Sequence, residues 1–230
     1  PEADRWHTRC MSQRAQVGDL YRAVRLRTQD LLGPLDGDQW SLPVPACPGW
    51  DVHGVLSHLV GVIEDSGAGE LDGPPGPAQT ADEVERHRAT PSAALLWRWT
   101  ELSPPFEQVL SSASIWPAFF DVLSHEHDVR GALGAPGERD GADVQLAAKL
   151  LVRSIDLGRP FRIDTGPAVL ASAADGADAL VLRTSAFEAF RLRMGRRSRA
   201  QVEAMDWSDD PGDLIDRLFV FGPASDDLVE

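Results

Sequence analysis

Positive charge is scarce in this chain of 230 residues. It has 22 basic residues, of which Lys149 is the only lysine, against 36 Asp and Glu, so the formal net charge is −14. That balance repels phosphate backbones and anionic headgroups, and it argues against nucleic acid or a membrane surface as partner. Cysteine is nearly absent too: Cys10 and Cys47 cannot build a disulfide framework. No apolar run approaches the ~20 residues that span a bilayer. The best stretch, Val55 to Ile63, is short and is interrupted by His58. The first residues show no secretory leader pattern, and no internal repeat is visible. These absences lead to the expectation of a soluble cytoplasmic protein.

What is present has the composition of a globular chain, with 43% hydrophobic and 25% charged residues. Residues 1–11 read as an N-terminal extension before the first clear periodicity. Val17, Leu20, Tyr21, Val24 and Leu31 then recur at helical spacing, and Gly33-Pro34 ends that helix. A segment with Pro43, Pro45, Pro48 and Gly49 is too rich in proline for helix or central strand. Asp51 follows as an N-cap, opening a second helix to about Glu64. A Gly/Pro loop over 66–79 leads to a third helical region that starts near Ala81, breaks at Pro91 and resumes until Pro104-Pro105. Pro117 suits the first turn of a fourth helix that ends near Leu133, and a fifth is expected over Asp143 to Leu157. After Gly158 the texture changes to short strand-like runs at Phe161–Asp164, Val169–Ala171 and Leu180–Arg183, with helices expected over Ser185–Met194 and Gly212–Phe221. The expected architecture is a helical bundle over 12–157 followed by a small α+β domain over 158–230.

The chemistry is concentrated in the histidines. His58 lies on or beside the apolar stripe of the second helix, where a semi-buried imidazole needs a partner. Asp121 and His125 are four apart on the fourth helix and share one face, which Asp128 continues. His127 sits roughly 200° around the helix from His125, so the two cannot enter one site. On spacing alone, Asp121 and His125 also fit an ordinary intrahelical pair, with His58 as a hydrogen-bonded core residue. The other reading is three N/O ligands from facing helices with one coordination position left open, the layout of catalytic zinc.

The segment Pro48-Gly49-Trp50-Asp51-Val52-His53-Gly54-Val55-Leu56-Ser57-His58-Leu59 resembles the start of the second helix in DinB-like proteins. More narrowly, it resembles the mycothiol-dependent maleylpyruvate isomerase family. Asp121 to Arg130, followed by Gly131-Ala132-Leu133-Gly134, is similar to that family's second ligand segment. Thr184 to Glu188 and Gly195 to Ser198 look like its smaller C-terminal domain. The resemblance implies a DinB-like four-helix bundle followed by a small α+β domain. It implies a divalent metal, zinc first and nickel as the alternative, held by His58, Asp121 and His125, with His127 the rival to His125. The isomerase has glutamate where this chain has Asp121, one methylene shorter. Glu126 and Asp128 are candidates to orient a ligand from behind, and His53 is expected in a solvated or capping role.

The implied chemistry uses mycothiol or a similar small thiol, held as a thiolate, which adds to an electrophilic carbon of a small acid. Expulsion of the thiol gives isomerisation, and retention gives S-transfer. An anionic substrate or thiol would call for cations, and Arg191 and Arg196 are the candidates in the second domain. Neither cysteine is expected to serve as the thiol; Cys47 reads as a spectator beside the second helix. Two alternatives stand beside the isomerase or transferase: a metal-assisted hydrolase on the same site, and a non-catalytic small-molecule-binding module.

Overall fold

The computed structural model describes residues 2–174 and 176–230, with side chains from residue 17 onward. Its contacts divide the chain into two compact units, Pro1–Ala135 and Pro136–Glu230. The extension expected over residues 1–11 lies outside the described side chains.

The first unit contains α1 (Glu2–Leu32), the short α2 (Gly37–Trp40), α3 (Val52–Ala68), α4 (Pro77–His87), α5 (Ser92–Ala113) and α6 (Trp116–Ala132). Helices α5 and α6 each pack on both α1 and α3, which closes a four-helix bundle; α4 lies against α3. The apolar stripe read from the sequence faces inward, with Val17, Tyr21 and Val24 buried. Leu32 completes it, where Leu31 was expected, because Leu31 is only half-buried.

Buried ion pairs set how α1 meets its neighbours. Arg22 and Arg25 both donate to the buried Glu107 of α5, at 2.7 and 3.1 Å. Arg27 grips both oxygens of Glu126 on α6, at 2.8 and 2.6 Å, and Arg130 adds a third contact at 3.0 Å. Of these, Arg25–Glu107 is buried on both sides; such a pair adds little net stability but makes removal of one partner costly, so it specifies register more than it strengthens the fold.

The structure corrects the expected end of the third helical region. Helix α5 runs straight through Pro104 and Pro105. The carbonyls those prolines leave without a helical donor belong to Thr100 and Glu101, both exposed, so the loss falls on the solvent face. Leu95, Trp99, Phe106 and Leu110 hold the helix from its buried side. On the same helix Trp99 is fully buried and donates to Tyr21, whereas Trp97 is 65% exposed.

The second unit contains α7 (Ala142–Arg153), β1 (Phe161–Asp164), β2 (Val169–Ala171), β3 (Leu180–Arg183), α8 (Ala186–Arg193), α9 (Arg199–Glu203), β4 (Asp206–Trp207) and a 3-10 helix (Gly212–Arg217). The first three strands fall where the runs were read. Strand order is β2-β1-β3-β4, with β1 parallel to β3 and both outer pairs antiparallel. Phe161 and Ile163 of β1 and Leu180 and Leu182 of β3 are buried by strand alternation. Helix α7 packs on α8 and β2. It therefore belongs to this unit, and the division falls after Ala135, before the change of texture at Leu157. Its buried face of Val144, Ala147, Ala148 and Leu151 covers the sheet unit.

Candidate metal centre

The site forms where a proline-rich turn meets α3 and α6. Cys47, Pro48, Gly49 and Trp50 make a tight turn closed by Trp50 N–H donating to the Cys47 carbonyl at 3.0 Å. Proline sets its second position, and glycine takes the left-handed conformation of the third, at φ 88°. Val44 N–H also donates to the Trp50 carbonyl at 2.9 Å, so the loop is a fixed hook. Asp51 then caps α3 by accepting from the Gly54 N–H at 2.7 Å.

Three side chains predicted from the sequence converge. His58 Nε2 is 3.4 Å from Asp121 Oδ2, and His125 Nε2 is 3.4 Å from Asp121 Oδ1. One donor atom from each lies within 4.8 Å of the other two. The imidazoles are 5.0 Å apart between centroids, and the half-buried Trp50 ring lies 5.1 Å from His58 and 6.0 Å from His125. His58 and His125 are buried, while the Asp121 side chain is 33% exposed, so water reaches the group from the Asp121 side.

Each imidazole is held from behind by a second carboxylate. His58 Nδ1 bonds to Glu83 Oε2 at 2.6 Å, and His125 Nδ1 lies 3.0 Å from Asp128 Oδ2. This fixes the ring orientations and presents both Nε2 atoms to Asp121. Glu83 comes from α4 and is fully buried; its other oxygen, Oε1, has no hydrogen-bond partner. Helix α4 can bring it there because α3 has Gly61 at the crossing. A Cβ on Gly61 would stand 2.6 Å from Glu83 Cβ and 2.7 Å from its Cγ.

The charges of the group favour a cation. Burial lowers the His58 pKa, but Asp121 and Glu83 outweigh it and raise the value above the ordinary range. Burial opposes protonation of His125 in the same way and is overcome by Asp121, Cys47 and Asp128. Burial pushes Asp121 up, yet the two imidazoles hold it well below the usual carboxylate range. Positive charge between these carboxylates is supplied by protons on the rings or by a metal ion in their place.

The other sequence candidates fall elsewhere. His127 is buried but belongs to neither group of converging donors among the described residues. Glu126 is engaged by Arg27 and Arg130, while Asp128 does reach His125. His53 bonds the Thr90 carbonyl through Nε2 at 2.8 Å, which ties α3 to the loop before α5. Arg191 is fully buried with its guanidinium on Glu230, and Arg196 donates to the Met194 carbonyl at 2.7 Å. Cys47 is no spectator: it is buried, with Sγ 3.7 Å from His125 Nδ1 and 3.3 Å from Asp128 Oδ2. Glu83 was missed, although His87 stands four residues on along the same helix, the spacing that drew attention to Asp121 and His125.

With this geometry established, comparison with known proteins is informative. The sequence model for the mycothiol maleylpyruvate isomerase N-terminal domain matches residues 21–118. That stretch lies within the helical unit and covers less than half of the chain. Among solved structures, the mycothiol-dependent maleylpyruvate isomerase aligns with a TM-score of 0.54 at 14% identity, over 87% of this chain and 93% of its own. A histidine-to-alanine mutant of that enzyme aligns equally well. At this identity the likeness shows a shared fold, DinB-like bundle and smaller domain included. No curated protein matches the chain significantly. Among the described residues no helix is long and apolar enough to cross a membrane.

Proposed function

We propose that the protein is a metal-dependent enzyme of the cytoplasm that uses mycothiol or a similar small thiol to isomerise, or transfer the thiol to, a small electrophilic acid. The observation that carries this reading is the paired arrangement at the metal centre. Two imidazoles present Nε2 to one carboxylate, and each is backed at Nδ1 by a buried carboxylate. Two nitrogens and one oxygen suit zinc, with nickel the alternative, and leave a coordination position for an exchangeable ligand. A divalent ion there would hold a coordinated thiol as the thiolate at neutral pH.

The chain's own residues prepare that chemistry. Glu83 and Asp128 fix the neutral tautomers of His58 and His125 with the proton on Nδ1, leaving the Nε2 lone pairs free to ligate. Asp121 supplies the anionic ligand and, being partly exposed, marks the side from which thiol and substrate approach. Trp50 lies beside both rings and sets an apolar surface against them. The shorter Asp121 sets the ligand atoms closer to α6 than a glutamate would.

The test is turnover of a panel of small unsaturated oxo acids by the zinc-loaded protein, with and without mycothiol. Turnover that requires the thiol supports the reading. Turnover of the same acids at an unchanged rate without any thiol would contradict it and favour metal-assisted hydrolysis.

A further inference from the structure

His125 has two ring nitrogens, and only one faces Asp121. The other lies in a second cluster made of Cys47 Sγ, His125 Nδ1 and Asp128 Oδ2, all on buried residues. The edges of this triangle are 3.7 Å (Sγ to Nδ1), 3.3 Å (Sγ to Oδ2) and 3.0 Å (Nδ1 to Oδ2). A tetrahedral ion with ordinary zinc–sulfur, zinc–nitrogen and zinc–oxygen bonds requires ligand separations of about 3.3–3.6 Å. The cluster is thus as tight as the group around Asp121, whose two measured edges are 3.4 Å. What lies between the three heavy atoms at rest is replaceable: the thiol proton of Cys47 and the proton on Nδ1.

We propose that Cys47, His125 and Asp128 form a second cation site, selective for thiophilic divalent ions such as zinc, cobalt and cadmium. A thiolate, an imidazole and a carboxylate favour these ions over magnesium or calcium, which require oxygen donors. Binding releases the Cys47 thiol proton and the Nδ1 proton to solvent, and the ion takes their place. When the first site is also filled, the His125 ring bridges the two ions as an imidazolate. The second ion therefore binds more weakly than the first. The rigid turn from Val44 to Trp50 holds Cys47 at α6, so accommodating the ion asks mainly that the Asp128 carboxylate draw back from Nδ1, now at 3.0 Å.

The experiment is a cobalt titration of the whole chain, followed by absorption spectroscopy. Wild type is expected to take up two equivalents. The first gives d–d bands only, and the second adds a near-ultraviolet thiolate-to-cobalt charge-transfer band. Cys47→Ser, close to isosteric, is expected to keep one equivalent and lose the band. His58→Ala is expected to keep one equivalent together with the band. If that variant binds as much cobalt as wild type while the band persists, the assignment of the first site fails and the second stands. A wild type that saturates without a thiolate band, or a band unchanged in Cys47→Ser, overturns the proposal. A readout that needs no variant is alkylation of Cys47, followed by peptide mass spectrometry. Cadmium is expected to protect Cys47, and unprotected alkylation at saturating cadmium also overturns the proposal.

Discussion

Glu83 Oε2 lies 2.6 Å from His58 Nδ1, although the two residues sit on different helices and are 25 positions apart. The contact links α4, which contributes no ligand of its own, to the centre between α3 and α6. A carboxylate behind a ligating histidine fixes the ring and raises its basicity, and its loss typically costs 10–100-fold in metal affinity. Glu83→Gln keeps the shape and removes the charge. It should lower zinc affinity by roughly 10–100-fold while leaving helical content unchanged. Competition against a chromophoric chelator, alongside far-ultraviolet circular dichroism, checks both halves; affinity equal to wild type would show that Glu83 does not support the ligand.

Gly61 makes room for Glu83. A methyl group there would sit 2.6 Å from the Glu83 Cβ, too close for helices already packed. Gly61→Ala should therefore destabilise the bundle by about 1–3 kcal/mol, the usual cost of overpacking, and weaken metal binding as α4 is pushed outward. Urea unfolding with and without zinc measures both. A variant as stable as wild type would mean that α4 shifts freely.

Acid sensitivity should reside partly in Asp65, a buried residue on α3. Burial raises its pKa, but bonds from Arg86 at 2.7 Å and Gln79 at 3.1 Å outweigh this and bring it below its ordinary 3.8. A folded-state pKa that is depressed contributes stability that is present above the unfolded value and is lost as the pH falls through the folded one. Arg86→Gln should therefore lose stability at neutral pH, by about 1–3 kcal/mol, and show a flatter decline on acidification. Unfolding midpoints from neutral pH down to about pH 3 test this, and parallel curves for the two proteins would contradict it.

Much of the fold and part of the centre were legible from local pattern. Asp51 as N-cap, Pro117 in the first turn of α6 and the first three strands all follow from short-range chemistry, and the structure has each of them. His58, Asp121 and His125 could be proposed because two of them share a helix face and a family resemblance supplied the third. The misjudged features depend on tertiary context. Pro104 and Pro105 are tolerated because they face solvent while Trp99 and Phe106 anchor the opposite side of α5. Helix α7 continues the bundle's texture in sequence, yet its apolar face packs on α8 and β2. Glu83 and Cys47 reach the centre only through a helix crossing and a turn, which no periodicity encodes.

Removing a ligand should empty the centre without unfolding the bundle. His125→Ala deletes the nitrogen facing Asp121 and the one facing Asp128 together. It is expected to abolish metal uptake at both proposed sites while leaving the helical content largely unchanged. Metal retained in full would contradict the assignment of His125 as a ligand.

The most direct test of the central claim is the metal content of protein purified without a chelating tag, wild type against His58→Ala. The account predicts near-stoichiometric zinc or nickel in the wild type, or its uptake on adding zinc, and loss of the ion bound at Asp121 in the variant. A wild type that is metal-free and also refuses added zinc would contradict it, and would leave His58, Asp121 and His125 as a buried hydrogen-bonded cluster.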